Sequence, residues 1–226
     1  ASTKGRGVVW TTFDTPVDDD DRADVGFVLE KVRDAIRAAD EGAVILISSQ
    51  IPAGSARALQ ADAGRFRPDA RIRIAISPEN LRLGKAIDVF RKPDRVVVGV
   101  DDDAAKRVVG EVFAPITDRI EWMSTASAEM TKHAINSFLA VSVVFMNEIA
   151  ALCEKFGGDA SEVERGLKTE SRIGPKAYLK PGAAFAGGTL ARDLNFLKDA
   201  GRPGSLFEAA LASNRAHRDW PRRAIA

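Results

Sequence analysis

The sequence predicts an α/β fold: a parallel sheet covered by helices on both faces, then an all-helical region built on one long helix. Three observations carry this. The first half alternates short runs that are apolar throughout with helical segments, as strands buried on both faces of a parallel sheet do. Turn and cap residues punctuate those segments at Pro16, Asp24, Pro52 and Gly54. From Ser127 to Phe156 neither proline nor glycine occurs and apolar residues dominate nearly all round, the pattern of a buried helix.

Val8 to Phe13 is apolar and β-branched and stops at Pro16, a strand. After the acidic run Asp18 to Asp21, Asp24 caps a helix whose inner face is Val25, Val28, Val32 and Ile36. Ala43 to Ile47 is a fully buried strand, Ala56 to Ala63 a helix, and Ile72 to Ile76 and Arg95 to Gly99 further strands. Ala104 to Phe113 is helical and Asp118 to Trp122 a last short strand. The long helix ends at Gly157-Gly158, with Asp159 to Leu167 a short helix after it. Arg172 to Thr189, rich in Gly, Ala and Pro, reads as an ordered loop before helices at Leu190 to Asp199 and Ser205 to Trp220. The chain therefore divides into residues 1–123 and 124–226. A doubly wound sheet takes its ligand at the carboxyl ends of its strands, so the loops to watch are Asp14 to Asp21, Ser48 to Gly54 and Ser77 to Gly84.

With 226 residues, 45% hydrophobic and 29% charged, the chain is long enough for a sizeable core. A net charge of +1 gives no bulk attraction for nucleic acid or an anionic membrane. The longest apolar run, Phe138 to Met146, is too short to span a bilayer, and the first residues have no signal-peptide pattern. One cysteine, Cys153, excludes an intrachain disulfide and fits a reducing cytoplasm; it reads as a small core side chain.

Four constellations could carry chemistry. Lys132 and Asn136 lie i, i+4 on the long helix, and an ammonium and an amide aimed together can hold an oxyanion. The plainer alternative pairs Lys132 with Glu129 at i, i+3. Glu79 follows a buried strand, where a carboxylate can bind a hydroxyl or accept a proton, or simply suit a helix start. Gly182 to Thr189 is a small-residue loop before a helix, suited to phosphate approach or to an ordinary turn, and no P-loop lysine follows it. Asp193, i+4 from Thr189, can orient a hydroxyl or water, or serve as a helix-start carboxylate. His133 and His217 have no metal-ligand spacing.

Taken in order, these segments resemble the UDP-glucose/GDP-mannose dehydrogenase family. The likeness runs through Asp14-Thr-Pro-Val17, Ser48-Ser-Gln-Ile-Pro-Ala-Gly54, Ser77-Pro-Glu-Asn-Leu-Arg82, Ser127-Ala-Glu-Met-Thr-Lys132, Asn136 and Asn147-Glu148. It continues through Arg172-Ile-Gly174, Pro181-Gly182 and Gly187-Gly-Thr189 to Arg192-Asp193. The resemblance implies the later half of a Rossmann-type NAD-binding sheet, followed by a helical region that forms a homodimer around the long helix. It implies oxidation of the primary alcohol of a nucleotide sugar to a carboxylate with NAD, through a cysteine-bound intermediate. Lys132 and Asn136 take the place of the family's catalytic Lys/Asn pair, Asp193 of its water-orienting Asp and Glu79 of its site glutamate. Thr15, Pro16, Ser49 and Gln50 fall on the cofactor loops. Arg172 takes the place of the arginine that reaches the sugar, and Tyr178, Leu179, Phe185, Gly187 and Gly188 fall on the nucleotide-sugar cradle.

Three positions depart from the family pattern. Thr189 stands where the nucleophilic cysteine is expected, Leu83 where a second glutamate is, and Gln50 where a threonine is. The sequence also opens on Ala1 and contains no G-x-G-x-x-G turn, so it reads as a fragment of a longer protein. Thr189 leaves a second reading open: a catalytically altered paralogue kept as a nucleotide-sugar-binding or dimer-forming subunit.

Overall fold

The structure is a computed structural model and describes residues 7–16, 24–79, 81 and 84–225. The acidic run at 18–21, Val17, Ala23, Asn80, Arg82 and Leu83 lie outside the described residues. The chain forms two compact units, residues 1–132 and 133–226.

The first unit is built on strands β1 (Val8–Thr11), β2 (Val44–Ile47), β3 (Arg73–Ile76), β4 (Val96–Gly99) and β5 (Ile120–Met123), in that spatial order. Helices α1 (Val25–Ala38), α2 (Ser55–Phe66), α3 (Ala86–Arg91) and α4 (Asp103–Phe113) connect them. Alternation along β2 and β3 explains the layering. Ile45, Ile47, Ile74 and Ile76 meet α1 and α2 through Val28, Val32, Ile36 and Leu59. Val44, Leu46, Ala75 and Val98 meet Ala105, Val109 and Phe113 of α4 on the other face. Strand β2 is buried along its whole length, as its uniform apolar sequence requires.

The sheet is not wholly parallel, which corrects the expectation. β4 runs antiparallel to β3, and the two meet at one pair, Ile76 with Gly99. The reason lies in the link. Helix α3 has only six residues and buries none of them fully, so it is too short to cover the sheet as a crossover does. An antiparallel neighbour needs no crossover. The remaining pairs are parallel.

Helix α5 (Thr125–Phe156) begins directly after β5. Asp101 fixes that start, accepting from the Thr125 backbone N–H at 3.2 Å and from its hydroxyl. Gly99 is required here by space. A Cβ on it would lie 2.6 Å from Ala128 Cβ and 2.8 Å from Thr125 Cα.

The second unit holds α5 from His133 onward, α6 (Ala160–Thr169), a π-helical turn (Gly187–Ala191), α7 (Arg192–Ala200), α8 (Leu206–His217) and α9 (Trp220–Ile225). Its core joins Ala140 and Val144 to Phe185, Leu194, Ala210 and Leu211. The expected helix through Trp220 is in fact two. Pro221 has no backbone N–H to continue α8, and its ring would clash with the carbonyl one turn earlier. By length and composition α5 could cross a membrane. Yet it carries buried Glu129, Lys132, His133, Asn136 and Asn147, the last bonded to Gly182 and Ala183, as in the core helix of a folded unit.

Candidate active site

In the first unit the loops after β1 and β2 are tied together. Thr15 is buried and its hydroxyl donates to the Gln50 carbonyl at 3.0 Å. The Pro16 carbonyl accepts from Asp24 N–H at 2.7 Å, joining the same loop to the start of α1. Ser49 is buried, and its hydroxyl has no hydrogen-bond partner among the described residues. Thr15, Pro16, Ser49 and Gln50 thus stand at the carboxyl ends of adjacent strands, where such sheets take a dinucleotide. An orphaned buried hydroxyl and a fixed threonine fit that role.

Gly54 opens α2 with φ +94, a left-handed conformation that suits glycine. Its N–H and that of Ala56 each donate at 2.7 Å to the carboxylate of Glu129, which reaches over from α5. The positive end of α2 therefore faces the chain's own anion. Sequence reasoning gave Glu129 only a local pairing with Lys132. The available signal was an acid inside an otherwise apolar helix.

Three residues further along α5, Lys132 is 9% exposed. Its ammonium donates to the Glu79 backbone carbonyl at 2.7 Å and stands 3.8 Å from Glu79 Oε1. Glu79 is no helix-start acid. Its Oε2 accepts from Leu81 N–H at 2.6 Å, which folds the loop after β3 back on itself. Lys132 and Glu79, distant in sequence, are thereby brought together.

In the second unit the centre is Asp193, at the start of α7 and 0% exposed. One carboxylate oxygen pairs with His133 Nδ1 at 2.7 Å, and the other accepts a short hydrogen bond from the Asn136 amide. So Asp193 and Asn136 are joined, together with His133, which the sequence marked only by its lack of metal-ligand spacing. A buried carboxylate needs such donors, and their supply from one face of α5 explains its place in the core. Thr189 lies one turn earlier, exposed, in the π-helical turn. Such turns concentrate at functional sites.

The loop from Tyr178 to Gly188 is pinned from behind. Asn214 makes a two-way backbone clamp on Phe185, with 3.0 Å each way. Asn147 accepts from Gly182 N–H at 2.9 Å, and His217 Nε2 lies 2.9 Å from the Gly182 carbonyl. Leu179 and Phe185 are buried, and Phe185 packs in the core, while Tyr178 is 56% exposed. Arg172 is exposed and pairs with Glu170 at 3.0 Å. Cys153 is half-buried. Among the described residues no cluster of His, Cys, Asp and Glu could hold a metal ion.

Comparison with known proteins decides the family. Residues 3–117 match the NAD binding domain of the UDP-glucose/GDP-mannose dehydrogenase family, and residues 126–216 match its central domain. The chain belongs to the UDP-glucose/GDP-mannose dehydrogenase family. Among its relatives, the UDP-glucose 6-dehydrogenase of Rhizobium meliloti is 33% identical over 204 residues, covering 86% of this chain and 46% of that protein. UDP-glucose 6-dehydrogenase TuaD of Bacillus subtilis is 32% identical over 220 residues, covering 93% of this chain and 47% of that protein. The solved UDP-glucose dehydrogenase of Pyrobaculum islandicum superposes with a TM-score of 0.79 at 28% identity, covering 96% of this chain and 51% of that one. The chain spans about half the length of the curated relatives it matches. Family membership accounts for the α/β fold and for NAD as the cofactor of residues 3–117.

Proposed function

We propose that this chain serves an NAD-dependent nucleotide-sugar dehydrogenase of the UDP-glucose 6-dehydrogenase type, acting on the primary alcohol of the sugar. The observation that carries the reading is Lys132, a family-motif lysine held almost out of solvent with its ammonium on the Glu79 loop. A charge fixed in a low-dielectric setting stabilises a developing alkoxide far better than one in water. Thr15, Pro16, Ser49 and Gln50 would hold the cofactor, which would supply the hydride acceptor. Asn136 offers an amide donor braced by Asp193. The pinned loop from Tyr178 to Gly188, with Arg172, receives the nucleotide sugar.

The same reading covers assembly and compartment. Phe138, Phe145, Leu152 and Phe156 of α5 are 69, 45, 49 and 77% exposed, with Phe138, Phe145 and Leu152 at seven-residue spacing. That stripe fits a second copy of the helix, so the protein is a homodimer. It works in the cytoplasm, with no membrane or nucleic-acid partner.

Thr189 bears on the extent of oxidation. A thiolate adds readily to an aldehyde, whereas a threonine hydroxyl needs a strong base beside it. The first hydride transfer needs no nucleophile, so the site retains alcohol-to-aldehyde chemistry. The test supplies UDP-glucose, GDP-mannose and N-acetylated UDP-hexoses with NAD to the full-length protein and follows NADH. Turnover with a UDP-sugar is expected. Absence of turnover with every sugar, in wild type and in Thr189→Cys, would favour the altered paralogue.

A further inference from the structure

His133 has no part in the readings above, yet it is 3% exposed and bonded to the central carboxylate of the second unit. Its ring stacks on Phe196, centroids 4.3 Å apart at an angle of 22°. His133 and Asn136 are i, i+3 on α5, and Asp193 and Phe196 are i, i+3 on α7, so one face of each helix supplies both contacts. The stack sets the ring plane, and the hydrogen bond sets which nitrogen meets the carboxylate.

The tautomer follows. A carboxylate accepts only, so the ring nitrogen that meets Asp193, Nδ1, carries a hydrogen. Nε2 is buried and has no hydrogen-bond partner among the described residues. An N–H there would be a buried donor without an acceptor, which costs more than a bare nitrogen.

We propose that His133 is a positioning residue for Asn136. Its Nδ1–H holds Asp193 Oδ1, and the carboxylate so held presents Oδ2 to the Asn136 amide. The carboxylate torsion of an aspartate is soft, with no single well to fix it. The His133 and Asn136 donors come from set positions on one helix, so each restrains the carboxylate plane that the other meets. The functional meaning rests on the dehydrogenase reading, in which Asn136 faces the developing negative charge; the geometry does not.

The test has two arms. Nitrogen NMR of this chain should show His133 as the Nδ1–H tautomer, and the Asn136 side-chain amide protons should exchange slowly. In His133→Leu that exchange should rise at least about tenfold, which corresponds to about 1.4 kcal/mol of lost protection. His133→Asn places an amide donor near the Nδ1 position and should restore slow exchange. His133→Gln, whose donor reaches the Nε2 position, should not. In the full-length protein His133→Leu should lower kcat and leave KM within about twofold, with recovery in His133→Asn. An Nε2–H tautomer in the wild type overturns the proposal, and this measurement needs no variant to fold. Unchanged Asn136 exchange in His133→Leu overturns it too, as does equal behaviour of the Asn and Gln variants. If the NMR results hold and no nucleotide sugar is oxidised, the dehydrogenase reading fails while the positioning role stands.

Discussion

At the scale of single residues, the role proposed for Lys132 rests on its burial and its bond to the Glu79 loop. Replacing it by alanine in the full-length protein should lower kcat by about two orders of magnitude or more and change KM much less, the signature of a contact made mainly in the transition state. Steady-state kinetics beside a thermal melt check this, since an equal fall in stability and activity would mark a structural lysine. Asp102 makes a different forecast. It caps α4 through Ala105 N–H at 2.8 Å and meets Arg73 at 2.7 Å. The backbone hydrogen bond from Ala105, then the Arg73 charge, hold its carboxyl below the usual carboxylate value against the opposing effect of burial. A lowered folded-state pKa adds stability above the unfolded value and loses it as pH falls through the folded one. Asp102→Ala should therefore melt earlier at neutral pH, by about 1 kcal/mol for the lost cap, and the gap should close as the medium becomes more acid than about pH 4. A series of melts against pH checks it. Lys132, Asn136, Glu79 and Asp193 could be picked out as candidates because their spacing and motifs survive as text, and the structure brings Lys132 to Glu79 and Asn136 to Asp193. His133 and Glu129 could not be, because their partners lie 60 and 73 or more residues away and only folding brings them together.

At the scale of elements, β2 and α1 were readable because each carries an unbroken physical pattern. β2 is apolar throughout, and α1 has Val28, Val32 and Ile36 on one buried face behind the Asp24 cap. Helix α3 escaped notice because six residues are too few to show a helical period. The π-helical turn escaped because Gly187-Gly188 reads as a break, and only the packing of α7 against α5 shows it to be the first turn of a helix. The reversed β4 could not be foreseen from strand composition, since its valines suit either direction. The join between β4 and α5 yields a prediction. Gly99→Ala places a methyl group against Thr125 Cα and Ser124 O, backbone atoms with no rotamer to change. A loss of about 1–3 kcal/mol in denaturant unfolding is expected, as for other overpacked sites. No measurable loss would mean that α5 starts further from the sheet.

At the scale of the whole molecule, the exposed stripe on α5 makes a claim about assembly. On the proposed homodimer, Phe138→Asp with Phe145→Asp should give a monomer by light scattering while the wild type runs as a dimer, because each charge would be buried against an apolar partner. A wild type that stays monomeric at high concentration would remove the basis for that stripe as an interface. The central proposal concerns chemistry: that the full-length protein keeps the family's alcohol oxidation while Thr189 closes the covalent route to the acid. The most direct measurement counts NADH formed per UDP-sugar consumed by the full-length protein, with aldehyde trapping and intact-mass analysis on the same sample. The account predicts rapid formation of about one NADH per sugar, a trapped aldehyde, and no mass added to the protein. Rapid formation of two NADH per sugar with an acyl adduct on Thr189 would contradict it.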